Sequence, residues 1–139
     1  MFWDKISALA NEAKEVLIIY TDLRKAFDSV PHDLLLFKLH KYGIEGKNYR
    51  WLQDFLRNRQ QRVKIGNALS QEITVESGVP QGGVLSGLMF ILYMNDLPSC
   101  FNYVKCSMYA DDAKLYASIS DQSSISLIQS DLDRLAAWV

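Results

Sequence analysis

The chain is poor in the residues that would mark it as anything but an ordinary folded protein. It has two cysteines, three prolines and seven glycines in 139 residues. Cys100 and Cys106 fit neither a disulfide framework nor a zinc site, because four ligands at close spacing are missing. They read as two small buried hydrophobes. No long apolar run is present. The longest stretch, Val84 to Met94, is interrupted by Ser86 and Gly87 and is about half of the 20 or so residues that a bilayer span needs. The start, Met1-Phe2-Trp3-Asp4-Lys5, lacks the basic region and apolar core of a signal peptide. The expectation is a protein away from membranes and inside the cell, nuclear or cytoplasmic. Excess charge is also missing. Fifteen Lys and Arg stand against 16 Asp and Glu, a net charge of −1, which disfavours a mainly electrostatic nucleic-acid binder as a whole-chain description.

What is present is apolar material in periodic order. Hydrophobic residues make up 49% and charged residues 22%, so one globular domain with a real core is expected over 1–139. Phe2, Ile6, Leu9 and Ala13 recur at helical steps. Val16-Leu17-Ile18-Ile19-Tyr20 reads as a strand, central and covered on both sides, that delivers Asp22 at its end. Pro31 suits the first turn of a helix that runs through Leu34 to Tyr42 and stops at Gly43. Asn48 would cap a second helix reaching Leu56. Val63 and Ile65 alternate with polar neighbours, as do Ile73 and Val75, and Gly66-Asn67 lies between them, which predicts a hairpin. Gly78, Pro80, Gly82 and Gly83 punctuate the chain before a helix over 84–96, apolar nearly all round and so expected inside. Val104, Cys106 and Met108, then Leu115, Ala117 and Ile119, make a second hairpin around Asp111-Asp112. Ile125, Ile128, Leu132, Leu135 and Trp138 mark a last helix.

Three carboxylates stand out. Asp22 closes a strand, and Asp111 and Asp112 stand at a hairpin tip. A lone Asp-Asp is ordinary turn chemistry. If the two strands are neighbours, however, the acids converge on one rim. Like charges so placed repel unless a cation lies between them, and a few hard oxygen ligands suit Mg²⁺.

The motifs around these acids carry more. Thr21-Asp22-Leu23-Arg24-Lys25-Ala26-Phe27-Asp28-Ser29-Val30 resembles the first catalytic motif of reverse transcriptases, in the form used by non-LTR retrotransposons. Ser77-Gly78-Val79-Pro80-Gln81-Gly82-Gly83-Val84-Leu85 is similar to the second motif, continued by Leu88-Met89-Phe90 to Asn95-Asp96-Leu97-Pro98. Tyr109-Ala110-Asp111-Asp112 matches the third. Lys38 to Ile44, and Trp51 through Val63, are similar to elements between them. The likeness runs from about Val16 to Val139.

That resemblance implies an α+β polymerase palm, an antiparallel sheet backed by helices. The palm would be truncated at both ends, with incomplete fingers and no thumb. It implies an RNA-directed DNA polymerase joining a deoxynucleoside triphosphate to a primer 3′-hydroxyl on an RNA (or DNA) template. Asp22 and Asp111 would be the main ligands of two Mg²⁺ ions, for which Mn²⁺ can substitute, with Asp112 beside them and the Leu23 carbonyl completing one coordination shell. Phe27 aligns with the family's sugar gate, although alone it would be a core aromatic. Gln81 aligns with a residue that contacts the incoming nucleotide, and Gly82 lets the backbone approach it. Asp28 aligns with a common family acid but is given no ligand role, since helix or turn capping explains it as well. Two positions depart from the pattern: Gly83 stands where Ser is frequent, and Gly87 where Pro is usual.

Charge is uneven. Over 38–64 eight bases stand against two acids, a net charge of +6 that leaves −7 elsewhere. Arg57, Arg59, Arg62 and Lys64 are the candidate contacts to a template-primer backbone; a solvated helix face is the alternative. The partners implied are template, primer, nucleotide and the remainder of a parent retroelement polyprotein. The fragment alone is expected to polymerise little or not at all. A rival reading from another class is a decayed or repurposed copy, catalytically inactive, that acts as a nucleic-acid-binding module.

Overall fold

A computed structural model describes residues 2–12, 15–23 and 25–138. The chain divides into two compact units, residues 1–23 with 94–139, and residues 24–93. Among the described residues no helix is long and apolar enough to cross a membrane.

The first unit is built on a three-stranded antiparallel sheet. Helix α1 (Phe2–Glu12) leads into β1 (Glu15–Asp22), and after a short 3₁₀ turn (Leu97–Cys100) come β6 (Lys105–Tyr109), β7 (Asp112–Ile119) and α5 (Gln122–Trp138). The strand order is β1-β7-β6. β1 is therefore an edge strand, not the central one its apolar run suggested. An apolar run signals two covered faces but says nothing about which neighbours complete the ladder. The central place belongs to β7, where Ala113, Leu115, Tyr116 and Ala117 are all buried, while β1 is at most half-buried. α1 lies against this sheet as its Phe2, Ile6, Leu9 spacing requires, with Phe2 edge-on to Tyr116 at 5.5 Å. Ala13 lies outside the described residues. The thiols of Cys100 and Cys106 are half-buried rather than buried. Burial, and then the nearby Cys100, pushes the Cys106 thiol up to about 11, which keeps it a poor nucleophile.

Asp121 caps α5, accepting from the Ser124 backbone N–H at 3.0 Å. The inward stripe of α5 is Ser124, Ile128 and Asp131, and Ile125 is turned out to solvent. An acid thus occupies a core position. Asp131 is 2% exposed, and its carboxylate accepts from the backbone N–H groups of Asn102 at 3.1 Å, Tyr103 at 2.7 Å and Val104 at 2.8 Å. It thereby ties the last helix to the loop entering β6. Burial alone would raise its pKa; the three backbone donors outweigh that and hold it below the ordinary aspartate value.

The second unit holds α2 (His32–Lys41), α3 (Gly46–Leu56), four two-residue strands and most of α4 (Val84–Met94). α2 ends as the sequence expects. Gly43 takes φ +85°, its N–H donates to His40 O, and Ile44 N–H donates to Leu39 O, the paired bonds of a Schellman cap. α3 begins at Gly46, two residues before Asn48, so Asn48 lies in the first turn and does not cap it. The expected hairpin is present as an interrupted ladder. β2 (Gln60–Gln61) pairs β5 (Ile73–Thr74), and β3 (Lys64–Ile65) pairs β4 (Ala68–Leu69) across the Gly66-Asn67 turn. Its apolar members Val63, Ile65, Leu69 and Ile73 are all exposed. α4 stops at Met94, short of residue 96, and is not wholly interior. Met89 and Phe90 are buried, but Val84 is 98% exposed, and Leu88 and Ile91 are exposed with it.

Asp131→Ala should destabilise the chain by about 2–4 kcal/mol, because three N–H donors lose their buried acceptor. Urea unfolding measures this. Since the folded pKa is depressed, the wild-type contribution is whole above the ordinary aspartate value and is lost as pH falls below it, and the variant should lack that part of the acid dependence.

Candidate active site

The three sequence-selected acids lie at one end of the first unit's sheet. β1 and β7 stay in register through eight pairs, from Glu15 opposite Ile119 to Asp22 opposite Asp112. Directly opposed residues share a face, with Cβ atoms about 5 Å apart. The partner in register with Asp22 is thus Asp112. Asp111 precedes it in the two-residue turn that joins β6 to β7 after the Tyr109–Asp112 pair. Ala110 holds φ +54° in that turn, where glycine is the usual occupant, so the tip carries backbone strain. Asp22 and Asp112 are exposed and Asp111 is half-buried. Opposed like charges destabilise a ladder. A cation on the same face, Lys114, two residues along β7, lies over the rings of Phe2 at 5.2 Å and Tyr20 at 5.5 Å.

The donor set suits a hard divalent cation. Mg²⁺ is held by one or two carboxylates and completes its shell with water and substrate phosphates. Among the described residues no group of three His, Cys, Asp or Glu side chains forms a ready-made cage. The fit therefore rests on the paired carboxylates and on the third acid beside them, with the Leu23 carbonyl next along the chain from Asp22.

In the second unit two loops are stapled together. Val79 N–H donates to Phe27 O and Gly78 N–H to Val30 O, both at 2.8 Å, and Ser77 Oγ donates to Asp28 O at 2.8 Å. His32, buried, places Nε2 2.8 Å from Gly78 O, so that nitrogen carries the proton and donates it. Gly78 is required here. It takes φ +86°, and a Cβ would lie 2.8 Å from Asp28 Cα and O. The staple brings Phe27, Gln81 and Gly82 to one cavity of about 300 Å³, completed by Gly83, Ser86 and Gly87. Phe27 is held from behind by Phe90, with stacked rings 4.1 Å apart. The Ser86 hydroxyl is buried and has no hydrogen-bond partner among the described residues.

Gln81 also lines a second, more polar cavity of about 510 Å³ with Lys25, Asp28, Arg59 and Glu76. There Asp28, read from sequence as a mere cap, accepts from Gln81 Nε2 at 2.8 Å. Arg57 pairs with Asp33 at 2.5 Å and Arg62 with Glu72, all on the surface, while Lys64 is exposed on β3. Lys38, counted in the basic stretch, is buried and donates to Tyr93 O at 2.9 Å. Sequence reasoning missed His32, Phe90 and the Asp28 contact. Only Phe90 left a signal, as an aromatic on an apolar helix face.

Residues 2–139 match the reverse transcriptase (RNA-dependent DNA polymerase) family. The chain belongs to that family. It is 34% identical over 128 residues to the probable RNA-directed DNA polymerase from transposon BS of Drosophila melanogaster, covering 86% of this chain and 14% of the relative. It is 32% identical to the probable RNA-directed DNA polymerase from transposon X-element of the same fly, with the same coverage of both chains. The polymerase from mobile element jockey of that fly is 30% identical over 93% of this chain and 15% of its own length. The chain is thus a reverse transcriptase domain of non-LTR retrotransposon type, and it spans about a seventh of the length of these curated relatives.

Gly78→Ala should cost about 2–4 kcal/mol, since the added Cβ meets the backbone of Asp28 and the positive φ is strained. The loss should appear in thermal or urea unfolding. Gly87→Ala, where nothing lies within 4 Å of the new Cβ, should be neutral or slightly stabilising.

Proposed function

We propose that this chain is the palm core of an RNA-directed DNA polymerase from a retroelement, with Asp22, Asp111 and Asp112 as its metal-holding acids. The observation that carries the reading is the β1–β7 register, which ends with Asp22 opposite Asp112 and Asp111 one residue away. Two acidic side chains facing one another across a strand pair are costly to a sheet unless a cation joins them.

Asp22, Asp112 and Asp111, with the Leu23 carbonyl, would hold two Mg²⁺ ions. When bound, such a pair lowers the pKa of an attacking hydroxyl and stabilises a leaving pyrophosphate. The chain's own residues supply the rest. Phe27, backed by Phe90, presents a rigid ring where a 2′-hydroxyl would have to fit, and so favours deoxynucleotides. Gln81 and the bare backbone of Gly82 contact the incoming nucleotide. Arg57, Arg59, Arg62 and Lys64 would follow the template-primer backbone. The partners are an RNA template, a DNA primer, nucleotides and the rest of the parent polyprotein.

The test is primer extension by the full-length protein that carries this chain. Asp111→Asn should reduce extension by at least about a hundredfold. Equal extension by variant and wild type would falsify the enzyme reading and leave a nucleic-acid-binding module. Phe27→Val should raise incorporation of ribonucleotides relative to deoxynucleotides by about tenfold or more, because the blocking ring is gone.

A further inference from the structure

We propose that Asp28 is a positioning residue for Gln81: its carboxylate fixes the orientation of the Gln81 amide at the nucleotide cavity and so sets the affinity for the incoming nucleotide. The inference rests on the proposed role of Gln81 as a nucleotide contact.

The argument begins with the amide itself. A glutamine side chain has a carbonyl face and an NH₂ face, related by a half-turn, and its neighbours decide which way it sits. An ionised carboxylate only accepts hydrogen bonds. Asp28 Oδ1, 2.8 Å from Gln81 Nε2, therefore admits one of the two orientations. The NH₂ group faces Asp28, while the carbonyl oxygen and the second N–H remain for a ligand.

A side-chain bond at the surface fixes an orientation only if its backbone supports are rigid, and here they are. Residue 28 is anchored by its own N–H to Lys25 O at 2.8 Å and by its carbonyl to Ser77 Oγ at 2.8 Å. The neighbouring bonds, Val79 N–H to Phe27 O and Gly78 N–H to Val30 O, lock the two loops on either side. Gly78 brings the backbones closer than any side chain would allow. Asp28 and Gln81 thus sit on two strands of chain with little freedom to move apart.

The cavities separate the two roles. Phe27 lines the 300 Å³ cavity and Asp28 does not, whereas Asp28 lines the 510 Å³ cavity and Phe27 does not. Gln81 lines both. A nucleotide seated against Phe27 meets Gln81 directly, with Asp28 behind it. Asp28 therefore acts through the amide and not on the substrate.

Primer extension by the full-length protein that carries this chain, at varied deoxynucleotide concentration, tests the proposal. The set is wild type, Asp28→Ala, Asp28→Asn, Gln81→Ala and the Asp28→Ala/Gln81→Ala double variant. Asp28→Ala should raise the nucleotide KM by about 3- to 10-fold, the range of one ordinary hydrogen bond in contact with water, with kcat within about twofold. Asp28→Asn offers a donor as well as an acceptor and admits both amide orientations, so its KM should fall between wild type and Asp28→Ala. In the Gln81→Ala background, Asp28→Ala should add nothing further. The proposal is overturned if Asp28→Ala leaves KM unchanged while Gln81→Ala raises it. It is also overturned if Asp28→Ala causes the same fold-loss in both backgrounds. Should Asp28→Ala melt early, Asp28→Asn carries the comparison, and an unchanged KM there has the same consequence. Failure of the underlying reading looks different: Gln81→Ala itself leaves KM alone, or the wild type extends no primer, and either result removes this proposal with it.

Discussion

The proposed chemistry depends on the register of one strand pair. Because side chains alternate along a strand, a slip of one residue between β1 and β7 would turn every side chain of β1 to the other face and take Asp22 away from Asp112. Eight paired residues and a buried central strand make that slip costly. The apolar members of both strands have their own reason to stay in place, so the core keeps Asp22 and Asp112 in register. The turn adds to this. A two-residue connection with Ala110 at positive φ fixes where β6 hands over to β7, and with it the position of Asp111.

The second unit solves a different problem, that of placing a flat ring and an amide on loops. Loops usually trade precision for reach. Here the loops carrying Phe27 and Gln81 are joined by backbone bonds in both directions, by a buried histidine and by a glycine contact that excludes any Cβ. Phe90 then supplies a wall behind Phe27 from the buried side of α4. The result has the rigidity of a sheet without a long ladder. Four isolated two-residue strands could not provide it, since each ladder closes over only two residue pairs.

Much of this was legible in the sequence, and the reasons differ by element. Period and punctuation identified α1, α2, the Gly66-Asn67 hairpin, the hairpin around Asp111-Asp112 and α5, because each carries its own local signal. The place of β1 in the sheet was not legible: strand order is a property of partners, and an apolar run looks alike at an edge and in the middle. Asp131 was missed for the opposite reason. It falls three residues after Ile128 and four before Leu135, on the helix face that buries, but polarity argued it outward. Only the loop at 102–104, with N–H groups needing an acceptor, explains its place inside. For the site, the motifs named Asp22, Phe27, Gln81, Asp111 and Asp112 individually. What no motif displayed was the contact of Asp28 with Gln81, since 53 residues separate them and neither side chain announces the other.

The basic surface shows how charge and availability part company. Arg57 and Arg62 each face a carboxylate, Asp33 and Glu72, and a static view would count them as spent. Exposed ion pairs of this kind are worth about 0.2–1 kcal/mol, and salt screens them further. A phosphate backbone offers several anionic groups in a row and releases its own counterions on binding, so it competes well against one surface acid. These arginines are therefore held in place without being committed. Lys38 is the contrasting case, because its ammonium is buried with the Tyr93 carbonyl and ring as partners. Drawing it out would forfeit a buried charged hydrogen bond, worth far more than a surface pair. Of the eight bases over 38–64, this one belongs to the core, and the positive face that a nucleic acid could meet is correspondingly smaller than the sequence count.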